Sequence, residues 1–187
     1  MGSIGTGSTT APDPTVAAAE LVERAKAGLE GTPALAILLA TTQYDPEALV
    51  SGVSGLLGGI PLWGGSSSTG VFHDDHWVTA DGGAAGLMLI ADRSAGVGVA
   101  EVGADARAAG KQATEEALKQ LDGPPTVLLT LAFMGNEEEI LEGVASVAPG
   151  VPVVGGSASD HSSAGVFEQF ANGHAYEDDG ALWLRTT

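Results

Sequence analysis

The chain has 187 residues, 44% of them apolar, so it is long enough for one domain with a real core. It contains no cysteine, which excludes disulfides, zinc–thiolate sites, iron–sulfur clusters and thiol catalysis. Twenty-four acidic residues against seven Lys and Arg give a net charge of −17, a field that repels nucleic-acid phosphates and anionic membranes, so neither is expected as a partner.

The first segment, MGSIGTGSTTAPDP, has no basic n-region and no apolar h-region, so it does not read as a secretory signal. Its GTGSTT lacks the lysine and the preceding strand of a phosphate loop and reads as a flexible or loosely docked lead-in. Asp13-Pro14 opens a helix expected over 15–29, with Ala18, Val22, Ala25 and Leu29 on one face. The apolar run 35–40 suits a strand covered on both faces. Asp45-Pro46 then starts a helix with Leu49, Val53 and Leu56 as its buried stripe, stopped at Gly58-Gly59. A short strand runs into Gly64-Gly65-Ser66, and two more strands follow, with a turn at 73–76.

Val97 to Val102 reads as a strand, and 104–121 as an alanine-rich linking helix stopped by Gly123-Pro124. The design of 33–68 then recurs at 124–159, without a gap at an offset of 91, and places Leu38 on Leu129 and Gly64-Gly65-Ser66 on Gly155-Gly156-Ser157. The second copy has a strand at 126–133 and a helix opened by Asn136 and three glutamates, with Ile140, Val144 and Val147 as its stripe. Past a four-residue insertion, Gly70-Val71-Phe72 meets Gly165-Val166-Phe167, and Leu87 and Leu89 meet Leu182 and Leu184. The second hairpin turn falls at 171–173. The expected fold is α/β: one domain over 1–187, built of two βαβββ-like repeats (about 33–91 and 124–186) about a pseudo-twofold. Mixed parallel and antiparallel sheet, one or two, would be flanked by helices.

The sharpest chemical feature is the doubled Pro-x-x-Gly-Gly-Ser-x-Ser. Glycine at a strand end lets a ligand or another backbone come close, and hydroxyls there add neutral hydrogen bonds. The expected ligand-binding residues are Gly64, Gly65, Ser66, Ser68, Gly155, Gly156, Ser157 and Ser159, although from the residues alone tight packing of the two halves at a strand crossing is the favoured explanation of the same glycines. His73-Asp74-Asp75-His76 reads as an exposed polar turn, because strand geometry sends neighbouring side chains to opposite faces, and no metal site is expected. No Gly-x-Ser-x-Gly or Ser-x-x-Lys occurs. Ser68, Asp74 and His76 assemble into a triad only on paper, and no catalytic residues are assigned.

Taken together, GTGSTTAPDPTVAAAELVERA, the strand ALAILLATTQYDP, IPLWGGSSSTGVF, VPVVGGSASD and FEQFANGHAYEDDGALWL resemble the N-terminal part of the FIST domain. That resemblance implies a sensory domain of intracellular signal transduction that binds a small, amino-acid-like ligand and is commonly fused to kinases, cyclic-dinucleotide enzymes or chemoreceptors. The stretch read here carries no second domain and no output module, so the expectation is a cytoplasmic module signalling in trans to a partner protein. Some members bind haem in nitric oxide sensing; here an axial ligand would have to come from His73, His76, His161 or His174. A small enzyme working at the serine-rich strand ends is the reading from another class. The acid-rich, lysine-poor composition also resembles that of proteins adapted to high salt.

Overall fold

The computed structural model describes residues 3–132, 134–160, 165–177 and 180–186, the last strand by its backbone alone. The lead-in is not loosely docked: Ile4–Thr9 form strand β1, paired antiparallel with β6 (Ala85–Ala91) from Ile4↔Ile90 to Thr9↔Ala85. The strand is hard to see in the sequence because its inward positions are glycines. Helix α1 (Pro14–Ala27) lies on them so closely that a Cβ on Gly5 would overlap the Ala25 carbonyl oxygen, and one on Gly7 would stand 2.8 Å from that of Leu21. The Asp13 carboxylate caps α1 by accepting from the Thr15 and Val16 N–H groups.

Strand β2 (Pro33–Thr41), helix α2 (Pro46–Leu57) and strand β3 (Leu62–Ser67) form a crossover with β2 and β3 parallel. Asp45 caps α2 through the Ala48 N–H, and Gly58 ends it in the left-handed region at φ 74°. The expected stripe is corrected at its last turn: Leu57 is buried and Leu56 is half exposed, because the continuation of Leu49 and Val53 falls four residues on. Three strands follow β3 rather than two. They are β4 (Val71–His73), β5 (His76–Val78) and β6, the last two separated by a bend at Asp81-Gly82-Gly83 where Gly83 has φ 110°. The second unit comprises β7 (Ala95–Glu101), α3 (Ala106–Leu118), β8 (Val127–Ala132), α4 (Glu137–Val147), β9 (Val153–Ser157), β10 (Glu168–Ala171), β11 (His174–Glu177) and β12 (Gly180–Thr186).

The strands form two main sheets, ordered β1-β6-β2-β3-β10-β11 and β7-β12-β8-β9, plus the β4–β5 hairpin. The order β1-β6-β2-β3 of the first sheet is matched by β7-β12-β8-β9 of the second. Thus β1 and α1 stand to the first sheet as β7 and α3 stand to the second, although both pairs were expected outside the repeated design. Their glycine- and alanine-rich pairing rests on small size, which leaves few shared letters. The gap-free register is also corrected. Gly64 pairs with Leu38, but Gly155 pairs with Thr130, so Thr130 rather than Leu129 occupies the place of Leu38. One residue is lost between strand and helix in the second unit, and a one-residue slip moves a side chain to the opposite face of its sheet.

The molecule is layered helix, sheet, sheet, helix. Leu38, Leu87 and Leu89 on one face of the first sheet pack with Leu21 of α1 and with Leu49 and Val53 of α2. Leu128 and Ala132 pack with α3 and α4 in the same way. Between the sheets lie Leu35, Trp63, Val97, Leu131 and Ala171, with Leu129 partly buried against them. The β10–β11 hairpin, although it belongs to the second unit, completes the first sheet by pairing with β3.

Candidate functional site

The two Gly-Gly-Ser segments meet different surroundings. In the first, Leu62 to Ser66 are all buried. Gly64 and Gly65 pair with Phe170 and Gln169 of β10, the Ser66 hydroxyl accepts from the Glu168 N–H at 3.0 Å, and the Ser66 carbonyl accepts from the Ser159 N–H at 3.0 Å. Ser68 and Ser159 are half-buried just beyond the two strand ends. In the second segment, Val153 to Gly156 are all exposed, and a Cβ built on Gly156 meets nothing within 4 Å. Of the two glycine pairs, the second is the exposed one.

That surface forms one wall of a cleft of about 250 Å³ between β9 and α4, lined by Thr130, Ala132, Glu137, Leu141, Val153, Gly155, Gly156 and Ser157. Glu137 opens α4, and one of its carboxylate oxygens accepts from the Ser157 hydroxyl at 3.0 Å while the other accepts from the Gly135 N–H at 2.9 Å. The carboxyl is held below the ordinary carboxylate range chiefly by its own backbone N–H, then by Ser157 and Gly135, with partial burial opposing them. Asn136, at the N-cap, makes no side-chain capping bond. The Thr130 residue is 6% exposed, and among the described residues its buried hydroxyl oxygen has no hydrogen-bond partner. The cleft thus joins a carboxylate, a helix N-terminus, two hydroxyls and the apolar Ala132, Leu141 and Val153. A small zwitterion with a modest apolar side chain matches that set, ammonium to carboxylate and carboxylate to the helix end. Thr130, Glu137 and Leu141 were not singled out in the sequence. The signal for Thr130 was present, since it is the one hydroxyl within the apolar strand VLLTLA.

The family described as the FIST N domain matches residues 10–186, nearly the whole chain. The chain belongs to the FIST family. Against the curated proteins, the sequence finds no match. FIST domains are sensory, and among the described residues of this one no helix is long and apolar enough to cross a membrane.

A second cavity, of about 340 Å³, lies beneath the β4–β5 hairpin of this FIST domain and includes Ile37, Leu39, Val71, Met88, Thr6, His73 and Asp74 in its lining. His73 is not the exposed turn residue the sequence suggested: its side chain is 19% exposed, its Nε2 stands 3.7 Å from the Asp74 carboxylate, and neither buried ring nitrogen has a hydrogen-bond partner among the described residues. His76 and His174 are exposed and meet the carboxylates of Asp75 at 3.0 Å and Glu47 at 3.2 Å; His161 lies outside the described residues. The lining of the His73 cavity offers a haem no ion pair for its propionates. No Lys or Arg lines the cavity to meet the propionates, Asp74 would repel them, and the cavity volume stands at the small end for ligand pockets. The paper triad is not assembled either, since Asp74 accepts from the Thr6 hydroxyl at 2.9 Å and His76 meets Asp75 instead. Among the described residues no three His, Asp or Glu side chains are grouped to hold a metal ion.

Proposed function

We propose that this FIST domain is a small-ligand-binding sensory module of intracellular signal transduction, acting in trans on a signalling partner, with the β9–α4 cleft as its ligand site. The observation that carries the site is the Thr130 hydroxyl, which is buried, unpartnered and at the cleft wall. A buried hydroxyl without a partner costs about 1–3 kcal/mol, a cost that a bound polar group removes. Glu137 supports a cationic group beside it, and the exposed Gly155-Gly156 backbone lets the ligand approach β9. Family membership supports the sensory role, and the chemistry of the cleft favours an amino-acid-like ligand.

The test is a thermal-shift screen with amino acids and small organic acids, followed by calorimetry on Glu137→Gln and Thr130→Val. At a hundredfold excess over Kd a bound ligand adds about 2.7 kcal/mol, a rise of several degrees in melting temperature for a domain of this size. Glu137→Gln should weaken an ammonium-bearing ligand at least tenfold. A screen with no stabilising compound, or a ligand whose affinity both variants leave intact, overturns the assignment.

A further inference from the structure

The two sheets end differently. The outer edge of β3 is covered by β10, whereas among the described residues nothing pairs with the outer edge of β9, where Val153 and Val154 are 37% and 58% exposed. The chain itself shows what such an edge accepts. Gln169 to Ala171 pair antiparallel with Gly65 to Trp63, and Phe170 is 1% exposed in the same buried cluster as Leu38, Val50 and Leu62. The Asn172 side-chain oxygen accepts from the Leu62 N–H at 3.3 Å, and the Asn172 N–H donates to the Leu62 carbonyl at 3.0 Å. His174 stands 3.2 Å from Glu47, whose other oxygen accepts from the Ala175 N–H at 2.9 Å.

The receiving half of this arrangement recurs at β9. Val153 holds the place of Leu62, as the partner of Leu128 where Leu62 is the partner of Ala36. Glu138 follows the N-cap of α4 by two residues, as Glu47 follows that of α2, and is exposed. The β9–α4 cleft is walled by Thr130 and Leu141, which hold the places of Leu38 and Val50, two residues of the buried cluster that includes Phe170.

The inserting half recurs in the β4–β5 hairpin. Its turn pairs His73 with His76 as the other pairs Ala171 with His174, and the first turn residue of each, Asp74 and Asn172, has a positive φ of 52° and 47°. Aligned at the turn, Phe72 matches Phe170 and His76 matches His174. Yet Phe72 is 80% exposed, stacked edge-on against the exposed Trp77 at 4.7 Å. Chain length keeps it there. Ten residues, 158–167, connect β9 to β10, but only three, 68–70, connect β3 to β4. Three residues span at most about 14 Å between the flanking Cα atoms. That connection holds the hairpin on its own sheet, where Val71 is buried and Thr6 bonds Asp74.

We propose that the β4–β5 hairpin of one copy docks antiparallel along β9 of a second copy, with Phe72 in the β9–α4 cleft and His76 against Glu138. The self-complementary pair of edge and hairpin, knob and socket, imidazole and carboxylate favours a second copy of this chain as the occupant. The inference goes beyond the ligand-binding reading and stands without it, because it rests on strand pairing and on the shape of the edge. If both hold, hairpin and ligand exclude each other from the cleft.

Sedimentation velocity over a concentration series tests this, in 1 M potassium chloride so that the repulsion between two chains of net charge −17 is screened. The wild-type chain should associate, and Phe72→Asp should weaken association at least tenfold with its circular dichroism unchanged, since the side chain is exposed. Glu138→Lys, on the opposite surface, should weaken it as well. Amide exchange at Val153 and Gly155 should slow with concentration in the wild type and not in Phe72→Asp. A chain that stays monomeric to about 1 mM, or an association that survives Phe72→Asp, overturns the proposal. Neither result bears on the calorimetry of the ligand, so the two readings fail separately.

Discussion

Leu131 of the second sheet lies directly over Gly65 of the first. A Cβ on that glycine would overlap the leucine's Cδ2 methyl and stand 2.7 Å from the Glu168 carbonyl oxygen. The glycine is therefore a condition for the two sheets to close on each other at this point. Gly156, the corresponding glycine of β9, has open space where a Cβ would go. Gly65→Ala should destabilise the fold by about 1–3 kcal/mol through overpacking, while Gly156→Ala should stay within about 0.5 kcal/mol. Urea denaturation of the two variants measures the difference, and equal losses would show that Leu131 gives way.

The carboxyl of Glu137 tests the cleft in the free protein. Its folded pKa is depressed by its own N–H, Ser157 and Gly135, so its contribution to stability is present above the unfolded value of about 4.3 and is lost as pH falls through the folded value. Ser157→Ala removes one of these hydrogen bonds and should move the pKa up towards the ordinary range. The stability difference between wild type and variant should shrink as the solution is acidified. An NMR titration of the Glu137 side-chain carboxyl reads the shift directly, and an unchanged midpoint would mean that the serine does not hold the carboxylate in solution.

The charge of −17 predicts a response to salt. Like charges repel more in the compact state than in the expanded chain. Raising potassium chloride from 0.1 M to 1 M shortens the Debye length from about 10 Å to about 3 Å. Among the described residues the Lys and Arg ion pairs that salt would weaken are exposed, such as Arg107–Glu142 at 3.2 Å with both side chains about 60% exposed. The melting temperature should therefore rise across this range, and a flat or falling curve would place the acidity in some other role.

The sequence by itself determined the local elements wherever side chains announce them: the Asp13 and Asp45 caps, the Gly58 stop, the apolar strands β2 and β8, and the hairpin turns. Letters shared at fixed spacing also suggested a doubled design. The sequence did not disclose β1, because Gly5 and Gly7 serve the strand by having no side chain, and periodicity is read from side chains. It did not disclose the one-residue slip that puts Thr130 in the place of Leu38, because identity of letters carries no information about which face of a sheet a residue occupies.

The difference between the twin Gly-Gly-Ser segments belonged wholly to the tertiary structure. The two segments are alike in sequence, and each pairs in parallel with the strand that precedes its helix. Their fates diverge because the ten residues before β10 carry the second hairpin across to β3, while the three residues before β4 keep the first hairpin on its own sheet. The reach of the connecting chain, a non-local property, pairs Gly65 with β10 and leaves Gly156 at an open edge, in the cleft lined by Glu137 and Thr130.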